Sequence, residues 1–412
     1  MATMNRRELL QLGGGAALGA AFLAACGSST KTATSSAPTT VAGSTTTAAP
    51  TGGSTAATTT VATSGSTAVT TGGSTAVTTG LSTATTAGGS ASSVAIAPSD
   101  LGAMTLRLSW IKNSEFAGAY LADSNGYYKA AGFSSVDLQA GGPSATAAEV
   151  DVSSGKALVG ISSPDIVAAA IAAGADLKII GAEYQKNPFA VMSLAGKPIK
   201  SPQEMYGKKF GLQSANQAVW DAFVASTGID DSKIEKFAAQ FDPQPLVDGL
   251  CDCWFSFITN EPNTLKVAGH ETYTFLLADF GYPLVSEVYV VKTETITKQP
   301  DALKGFLKAQ IQGWRDVQKD PGKAASLTTG KYGADLGLDT AEQTLEVKSE
   351  LDLVFTPEAI KDGILTVSDA LIKENIDVLG KAGLKITADK LFDFSLLKAV
   401  YAANPDLVGV LS

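Results

Sequence analysis

The chain has 412 residues, with 31 basic and 40 acidic side chains, one histidine and three cysteines, and a net charge of −9 at pH 7. An acidic chain without a basic run argues against nucleic acid as a partner. A single histidine leaves little room for hydrolases that pair a serine or cysteine nucleophile with a histidine base.

From Asn5 the chain reads NRRELLQLGGGAALGAAFLAACGSS, with paired Arg6 and Arg7, a weakly apolar run and then Leu23-Ala24-Ala25-Cys26. The run is too short and too glycine-rich to span a bilayer stably, so residues 1–26 read as an export signal. The two arginines resemble a twin-arginine (Tat) signal, with Sec routing as the alternative. The Leu-Ala-Ala-Cys ending resembles a lipoprotein box, in which Cys26 would be acylated and become the mature N-terminus. An ordinary signal peptide with a free cysteine is the competing reading.

Residues 27–100 are almost wholly Ser, Thr, Ala, Gly and Val, and GSTAVTTG occurs at Gly65–Gly72 and again at Gly73–Gly80. Such a stretch lacks the large apolar side chains that would offset the entropy lost on ordering, so it is expected to be a disordered linker. As a coil of this length it spans on the order of 45–50 Å.

From Met104 onward apolar runs alternate with helical periods. MTLRLSW is predicted as a strand, Ala117 to Ala131 as a helix, Val136–Leu138 as a strand and Ala145–Ser154 as a helix. ALVGISS, a helix at Ile166–Ala173 and the strand LKIIGAEY follow. After FAVMSLAG the pattern restarts: a helix at Ser201–Tyr206, the strand KKFGLQ, a helix over Asn216–Thr227, the strand CDCWFSF and a helix near Pro262–Val267. TYTFLLADF and SEVYVVK close this second unit, and helices are predicted at Asp301–Lys319, Thr340–Glu350, Pro357–Asn375 and Leu391–Ala402. This alternation implies parallel sheets covered on both faces. Residues 101–195 plus 288–412 are expected to form one α/β lobe and residues 196–287 a second. FAVMSLAG and SEVYVVK are the expected crossings, a layout suited to hinge closure on a ligand.

Several chemistries lack their residues. There is no GxxxxGK[ST], no GxGxxG after a strand, no HExxH and no GxSxG. His270, in AGHETY, reads as a structural or surface residue. Cys251 and Cys253 in GLCDCWFSF have no second Cys/His cluster with which to complete a zinc site. A disulfide between them across one strand position would be strained. Two buried or half-buried thiols are expected, with no metal and no cofactor.

Six strand-to-helix loops carry aromatic and hydrogen-bonding groups at the carboxyl ends of strands, where open α/β sheets bind ligands. They supply Trp110, Asn113, Glu115 and Phe116; Ser162, Ser163 and Asp165; Tyr184 and Gln185; Gln213, Ser214 and Asn216; Trp254, Asn260 and Glu261; and Asp279 and Tyr282. Three loops per lobe point to one cleft between the lobes.

The blocks FAGAYLADSNGYYKAAGF, SSGKALVGISSPDIVAAAIAAGADLKIIGAEYQ, PIKSPQEMYGKKFGL, LVDGLCDCWFSFITNEP and LLADFGY, in this order over Met104 to Lys292, resemble the solute-binding proteins of ABC importers. The resemblance is to the branch with thiamine-pyrimidine, riboflavin, taurine/alkanesulfonate and nitrate binders. It implies a two-lobed type II periplasmic-binding-protein fold of the α/β class, with a cleft and two hinge crossings. It also implies a monomer tethered by lipid on Cys26 to the outer face of the cell membrane, delivering a small molecule to a permease driven by a cytoplasmic ATPase, without chemistry on the ligand. The family pattern places small hydrophobes at Cys251 and Cys253, which makes Trp254, Asn260 and Glu261 the expected second-lobe wall.

Beyond residue 100 the only arginines are Arg107 and Arg315, neither in a candidate loop. Aromatic faces and carboxylates favour an uncharged or amine-bearing heteroaromatic ligand, such as a thiamine-type pyrimidine or a flavin. A sulfonate, taurine or nitrate binder of the same family is the alternative. An iron-dependent pyrimidine-synthase-like enzyme and an extracellular sensor that keeps the cleft are alternatives of other classes. Against the enzyme stand two cysteines where its motif is longer, the missing first-lobe histidine and the export signal.

Overall fold

Alternating strands and helices build two five-stranded sheets in the computed structural model, which describes residues 100–409 apart from Pro143. The export signal, Cys26 and nearly all of the 27–100 stretch lie outside the described residues. Among the described residues no helix is long and apolar enough to cross a membrane.

In chain order the first part comprises β1 (Gly102–Arg107), α1 (Ala117–Ser124), α2 (Tyr127–Ala131), β2 (Phe133–Gln139), α3 (Ala148–Ser154), β3 (Val159–Ser162), α4 (Pro164–Ala172) and β4 (Leu177–Tyr184). The chain then crosses to β5 (Phe189–Leu194), β6 (Lys209–Gln213), α5 (Gln217–Thr227), β7 (Glu235–Ala239), α6 (Gln244–Val247), β8 (Cys253–Phe257), α7 (Glu261–Val267) and β9 (Thr272–Leu276). It returns as β10 (Ser286–Lys292) and ends in helices α8 (Thr293–Lys298), α9 (Pro300–Lys319), α10 (Pro321–Leu327), α11 (Thr340–Val354), α12 (Pro357–Asp362), α13 (Asp369–Lys381), α14 (Ala388–Leu391) and α15 (Ser395–Ala403).

The sheet orders are β2-β1-β3-β10-β4 and β7-β6-β8-β5-β9. Neither sheet is purely parallel, contrary to the sequence reading. β10 runs antiparallel to β3 and β4, and β5 antiparallel to β8 and β9. The reason is directional. β4 ends at Tyr184 opposite Ser286, the first residue of β10, so a chain returning from the second lobe re-enters where its neighbours end. β5 likewise starts at Phe189 opposite Phe257, the last residue of β8. The carboxyl ends of β3, β4 and β8 therefore lie at the crossings, on the edges that bound the cleft.

The lobe boundary also shifts. FAVMSL pairs with β8 and β9 and belongs to the second sheet, and SEVYVVK belongs to the first. The crossings are the short segments 185–188 and 281–285 rather than the strands themselves. The helix expected over Ser201–Tyr206 is only a 3-10 turn at Pro202–Met205. The expected helix at Ala117–Ala131 breaks at Gly126, which adopts φ +74°. The one expected over Pro357–Asn375 is split at Gly363, φ +98°, and its linker lays Leu365 against Ala182 at the open edge of β4. Strand β7 was not foreseen, because EKFAA has little apolar alternation and its residues are mostly exposed or half-buried.

One apolar core lies on the face of the first sheet covered by α1 and α9, where Leu106, Val159, Ile180, Tyr289, Phe306, Leu307 and Trp314 are buried. A second runs from the opposite face of that sheet (Ile179, Val288, Val290) through Tyr282, Leu284 and Val285 into the second lobe at Val191, Phe210, Trp220 and Phe255. The second crossing is thus embedded in a continuous apolar cluster, and its backbone is held by Asn375 of α13. Asn375 donates from Nδ2 to the Pro283 carbonyl at 3.0 Å and accepts the Val285 amide on Oδ1 at 3.1 Å.

Candidate functional site

The loop after β1 carries Ser109 and Trp110 to the cleft edge. Trp110 is half-buried, and its ring lies 5.5 Å from that of Phe241, which follows β7 in the other lobe. This tilted pair spans the cleft. Behind it, Asn113 and Glu115 are buried at the start of a 3-10 turn (Ser114–Phe116). Ser109 Oγ lies 2.7 Å from Glu287 Oε2 and 3.1 Å from Glu115 Oε1. Glu287 sits at the start of β10 with φ +48°, a backbone conformation uncommon for a residue with a side chain.

Helix α11 closes the back of this group. Glu342, Glu346 and Glu350 recur every fourth residue and so share one face. Glu342 accepts Thr264 Oγ1 of α7 at 2.6 Å, tying α11 to the second lobe. Glu346 accepts Asn113 Nδ2 at 2.6 Å and Gln343 Nε2 at 2.5 Å. Glu350 is fully buried, with neither carboxyl oxygen hydrogen-bonded to the protein. The phenols of Tyr184 and Tyr120, also fully buried, have no partner either. Glu183 accepts the Tyr289 hydroxyl.

Burial dominates the electrostatics, because withdrawing a carboxylate from water disfavours its charged form. Burial pushes Glu115 up to about 7, opposed by its contacts with Glu287 and Ser109. Glu183 rises to about 8 for the same reason, opposed by the Tyr289 hydrogen bond. Glu287 is raised well above the carboxylate range by burial and then by the Glu115 charge, and Glu350 by burial and then by Glu346 and Glu115. Among the described residues the two arginines are engaged elsewhere: Arg107 with Asp151 and the Ala140 carbonyl, Arg315 with the Asp406 carbonyl. The site is a buried cluster of carboxyls and phenols beside an aromatic pair, rich in hydrogen-bond acceptors.

Of the residues expected from the sequence, Trp110, Asn113, Glu115 and Tyr184 come together here. Gln185 stands at the first crossing, where its amide donates to the Leu353 carbonyl and its Nε2 to the Ala182 carbonyl. Ser162 ends β3 at the same edge, its hydroxyl on buried Glu149, while Ser163 bonds to Asp165 in the first turn of α4. Phe116 is a core residue with no exposed surface, and Tyr282 is buried against Phe223. Trp254 is fully buried with Met192, Leu246 and Leu265 on the face of the second sheet under α6 and α7, close against Gly211, and forms no cleft wall. Glu261 accepts the Phe257 amide at 2.8 Å, closing the turn that Asn260 begins. Gln213 spans to the Phe255 carbonyl and receives Asn216, and Ser214 is exposed. Asp279 forms an exposed ion pair with Lys186 of the first crossing at 3.1 Å.

Ser109, Glu183, Glu287, Glu346, Glu350 and Phe241 were not anticipated. One signal was available: three glutamates at four-residue spacing repel one another in an isolated helix and therefore need compensation elsewhere.

Cys251 and Cys253 are free and buried. Burial pushes the Cys251 thiol up to about 11 and Cys253 still higher. Among the described residues no three His, Cys, Asp or Glu side chains are placed to hold a metal ion.

The NMT1/THI5-like family model matches residues 113–324, just over half of the chain. The chain belongs to the NMT1/THI5-like family. Relatives of this family member include the riboflavin-binding protein RibY of Chloroflexus aurantiacus, 25% identical over 253 residues that cover 58% of this chain and 70% of that one. The formylaminopyrimidine-binding protein of Halalkalibacterium halodurans is 24% identical over 260 residues, covering 61% and 78%. A third, from Legionella pneumophila, is named 4-amino-5-hydroxymethyl-2-methylpyrimidine phosphate synthase and is 24% identical over 230 residues, 54% and 72%. The periplasmic aliphatic sulphonate-binding protein SsuA of Escherichia coli shares the fold, with a TM-score of 0.50 at 16% identity over 68% of this chain and 85% of that one.

Proposed function

We propose that this NMT1/THI5-like protein is an extracytoplasmic solute-binding protein that captures a small heteroaromatic compound between its lobes and hands it to an ABC permease. The observation that carries the reading is the Trp110–Phe241 pair across the cleft, backed by buried hydrogen-bond acceptors on Glu115, Glu287, Glu350 and Tyr184. The two rings touch, so a flat ring would enter as the lobes part and stack on their faces, and carboxyls would accept from its amino or imino groups. Two relatives named as binders of riboflavin and formylaminopyrimidine support that ligand class. Anchoring through a lipid on Cys26, supported by the lipoprotein-box resemblance, and a monomeric state belong to the same proposal.

The synthase reading is disfavoured by the setting of the cysteines. Cys251 and Cys253 are buried as high-pKa thiols in the apolar packing of the second sheet, and His270 follows α7 with its amide on the Leu265 carbonyl. Thermal-shift and tryptophan-fluorescence titration of the purified protein with pyrimidines, flavins, sulfonates and nitrate tests the proposal. Saturable stabilisation by a heteroaromatic compound is expected, and a panel that leaves the melting temperature unmoved would sink the reading.

A further inference from the structure

Apolar and polar contacts join the two lobes at different places. Around the crossings the contact is apolar: the cluster of Val288 and Val290 runs through Leu284 and Val285 to Trp220 and Phe255, and α13 packs against α5. Phe257 and Ile258, at the end of β8, pack on the first-lobe core, and the Ile258 amide donates to the Pro188 carbonyl of the first crossing at 2.8 Å. Such contacts part only by exposing apolar surface to water, so they mark the pivot.

At α7 the contact is made by hydrogen bonds. Asn263 donates from Nδ2 to Ser349 Oγ of α11 at 3.1 Å and to the Thr259 carbonyl at 2.8 Å, and Thr264 donates from Oγ1 to Glu342 Oε1 at 2.6 Å. Glu342 and Ser349 stand two turns apart on one face of α11, so neighbouring residues of α7 grip that helix at points about 10 Å apart. Hydrogen bonds exchange for bonds to water at small net cost, which suits a contact that opens and closes. Helix α11 is in turn fastened to the loop after β1: Gln343 Oε1 accepts the Ser114 amide at 2.7 Å, and Glu346 accepts Asn113 Nδ2 at 2.6 Å. Its Leu353 carbonyl accepts the Gln185 amide of the first crossing at 2.9 Å. One helix thus joins the crossing, the loop that carries Trp110 and the second lobe.

We propose that Asn263 and Thr264 are positioning residues, the catch of a latch that holds the second lobe on α11 and so seats Phe241 against Trp110. When the latch lets go, the apolar pivot stays assembled and the aromatic pair parts. The inference goes beyond the solute-binding reading and concerns the lobes alone, so it stands or falls without any solute.

Acrylamide quenching of the full chain, with no solute added, reads the motion, because Trp110 is half-buried and the other three tryptophans are fully buried. Loss of one net hydrogen bond shifts the ratio of closed to open lobes about three- to tenfold. Thr264→Val combined with Ser349→Ala should therefore raise the quenching constant by at least about twofold. Thr264→Val alone should raise it less, and Thr264→Ser, which keeps the hydroxyl, should quench like the parent. In a Trp110→Phe background the increase should vanish. An unchanged quenching constant in the double variant overturns the latch. So does an increase that persists in the Trp110→Phe background, or one that Thr264→Ser reproduces.

Discussion

Trp110 of the first lobe and Phe241 of the second meet with ring centroids 5.5 Å apart and planes inclined at 58°. The other three tryptophans, Trp220, Trp254 and Trp314, are fully buried. A ligand entering the cleft should therefore be reported by Trp110 alone. Trp110→Phe is expected to remove the ligand-induced fluorescence change while leaving binding measurable by calorimetry. Phe241→Ala should cost about 0.5–1.5 kcal/mol of binding, the value of one aromatic pair. A full fluorescence response in Trp110→Phe would place the ligand elsewhere.

The buried glutamates make stability depend on pH in an unusual direction. An acid whose folded pKa is raised binds its proton more tightly when folded, so its contribution is complete below the unfolded value near 4.5 and is lost as pH rises toward the folded value. For Glu115 the window runs from about 4.5 to about 7, and for Glu183 it extends to about 8. At about 1.4 kcal/mol per pH unit, this is on the order of 3 kcal/mol across the Glu115 window and somewhat more across that of Glu183. The melting temperature should fall between pH 5.5 and pH 8, and Glu350→Gln should flatten that fall. Thermal denaturation in a constant-ionic-strength buffer series reads it directly; a melting temperature that rises over the interval would contradict protonated carboxyls in the fold.

Helices α1 and α9 approach closely at Gly118 and Gly313. A methyl group on Gly313 would overlap the Gly118 carbonyl, and one on Gly118 would strike the indole of Trp314. Gly313→Ala is expected to destabilise the first lobe by about 1–3 kcal/mol through overpacking, measurable by urea unfolding. An unchanged midpoint would show that the two helices can part at no cost.

Asn375 holds the second crossing through Pro283 and Val285 while being fully buried. Asn375→Ala strands a buried amide and a buried carbonyl, at about 1–3 kcal/mol. Limited proteolysis should then cut within 281–285 sooner than in the parent protein, whereas Asp279→Ala, which removes only an exposed ion pair, should change stability by less than about 1 kcal/mol.

Cys251 and Cys253 pack against the strands and helices of the second lobe. The folded protein should leave both unlabelled by a maleimide at pH 8, and denaturation should expose them as free thiols. Rapid labelling of the native protein would refute their role as packing groups.

The repeated pairing of short apolar strands with helices settles much of this molecule before any tertiary contact is known. Period-2 and continuous apolar runs place the strands from Met104 to Lys292, β7 excepted, close to where they lie, and the order of those blocks carries the two-lobed fold. It also brings Trp110, Asn113, Glu115 and Tyr184 to one edge, because residues after strand ends in such sheets must gather there. Local pattern was silent on strand direction. That β10 and β5 run antiparallel follows from where the two crossings leave and re-enter the sheets, a property of the path through space. The same holds for GLCDCWFSF: which face of β8 looks at the cleft depends on what covers the sheet, and helices α6 and α7 bury Trp254 on the far side. Glu287 stands about 60 residues before Glu346 and Glu350, which are one helical turn apart, and all three are far along the chain from Glu115. Each reads alone as an ordinary solvated charge, and only the packing of α11 and β10 against the loop after β1 gathers them into one buried acidic cluster.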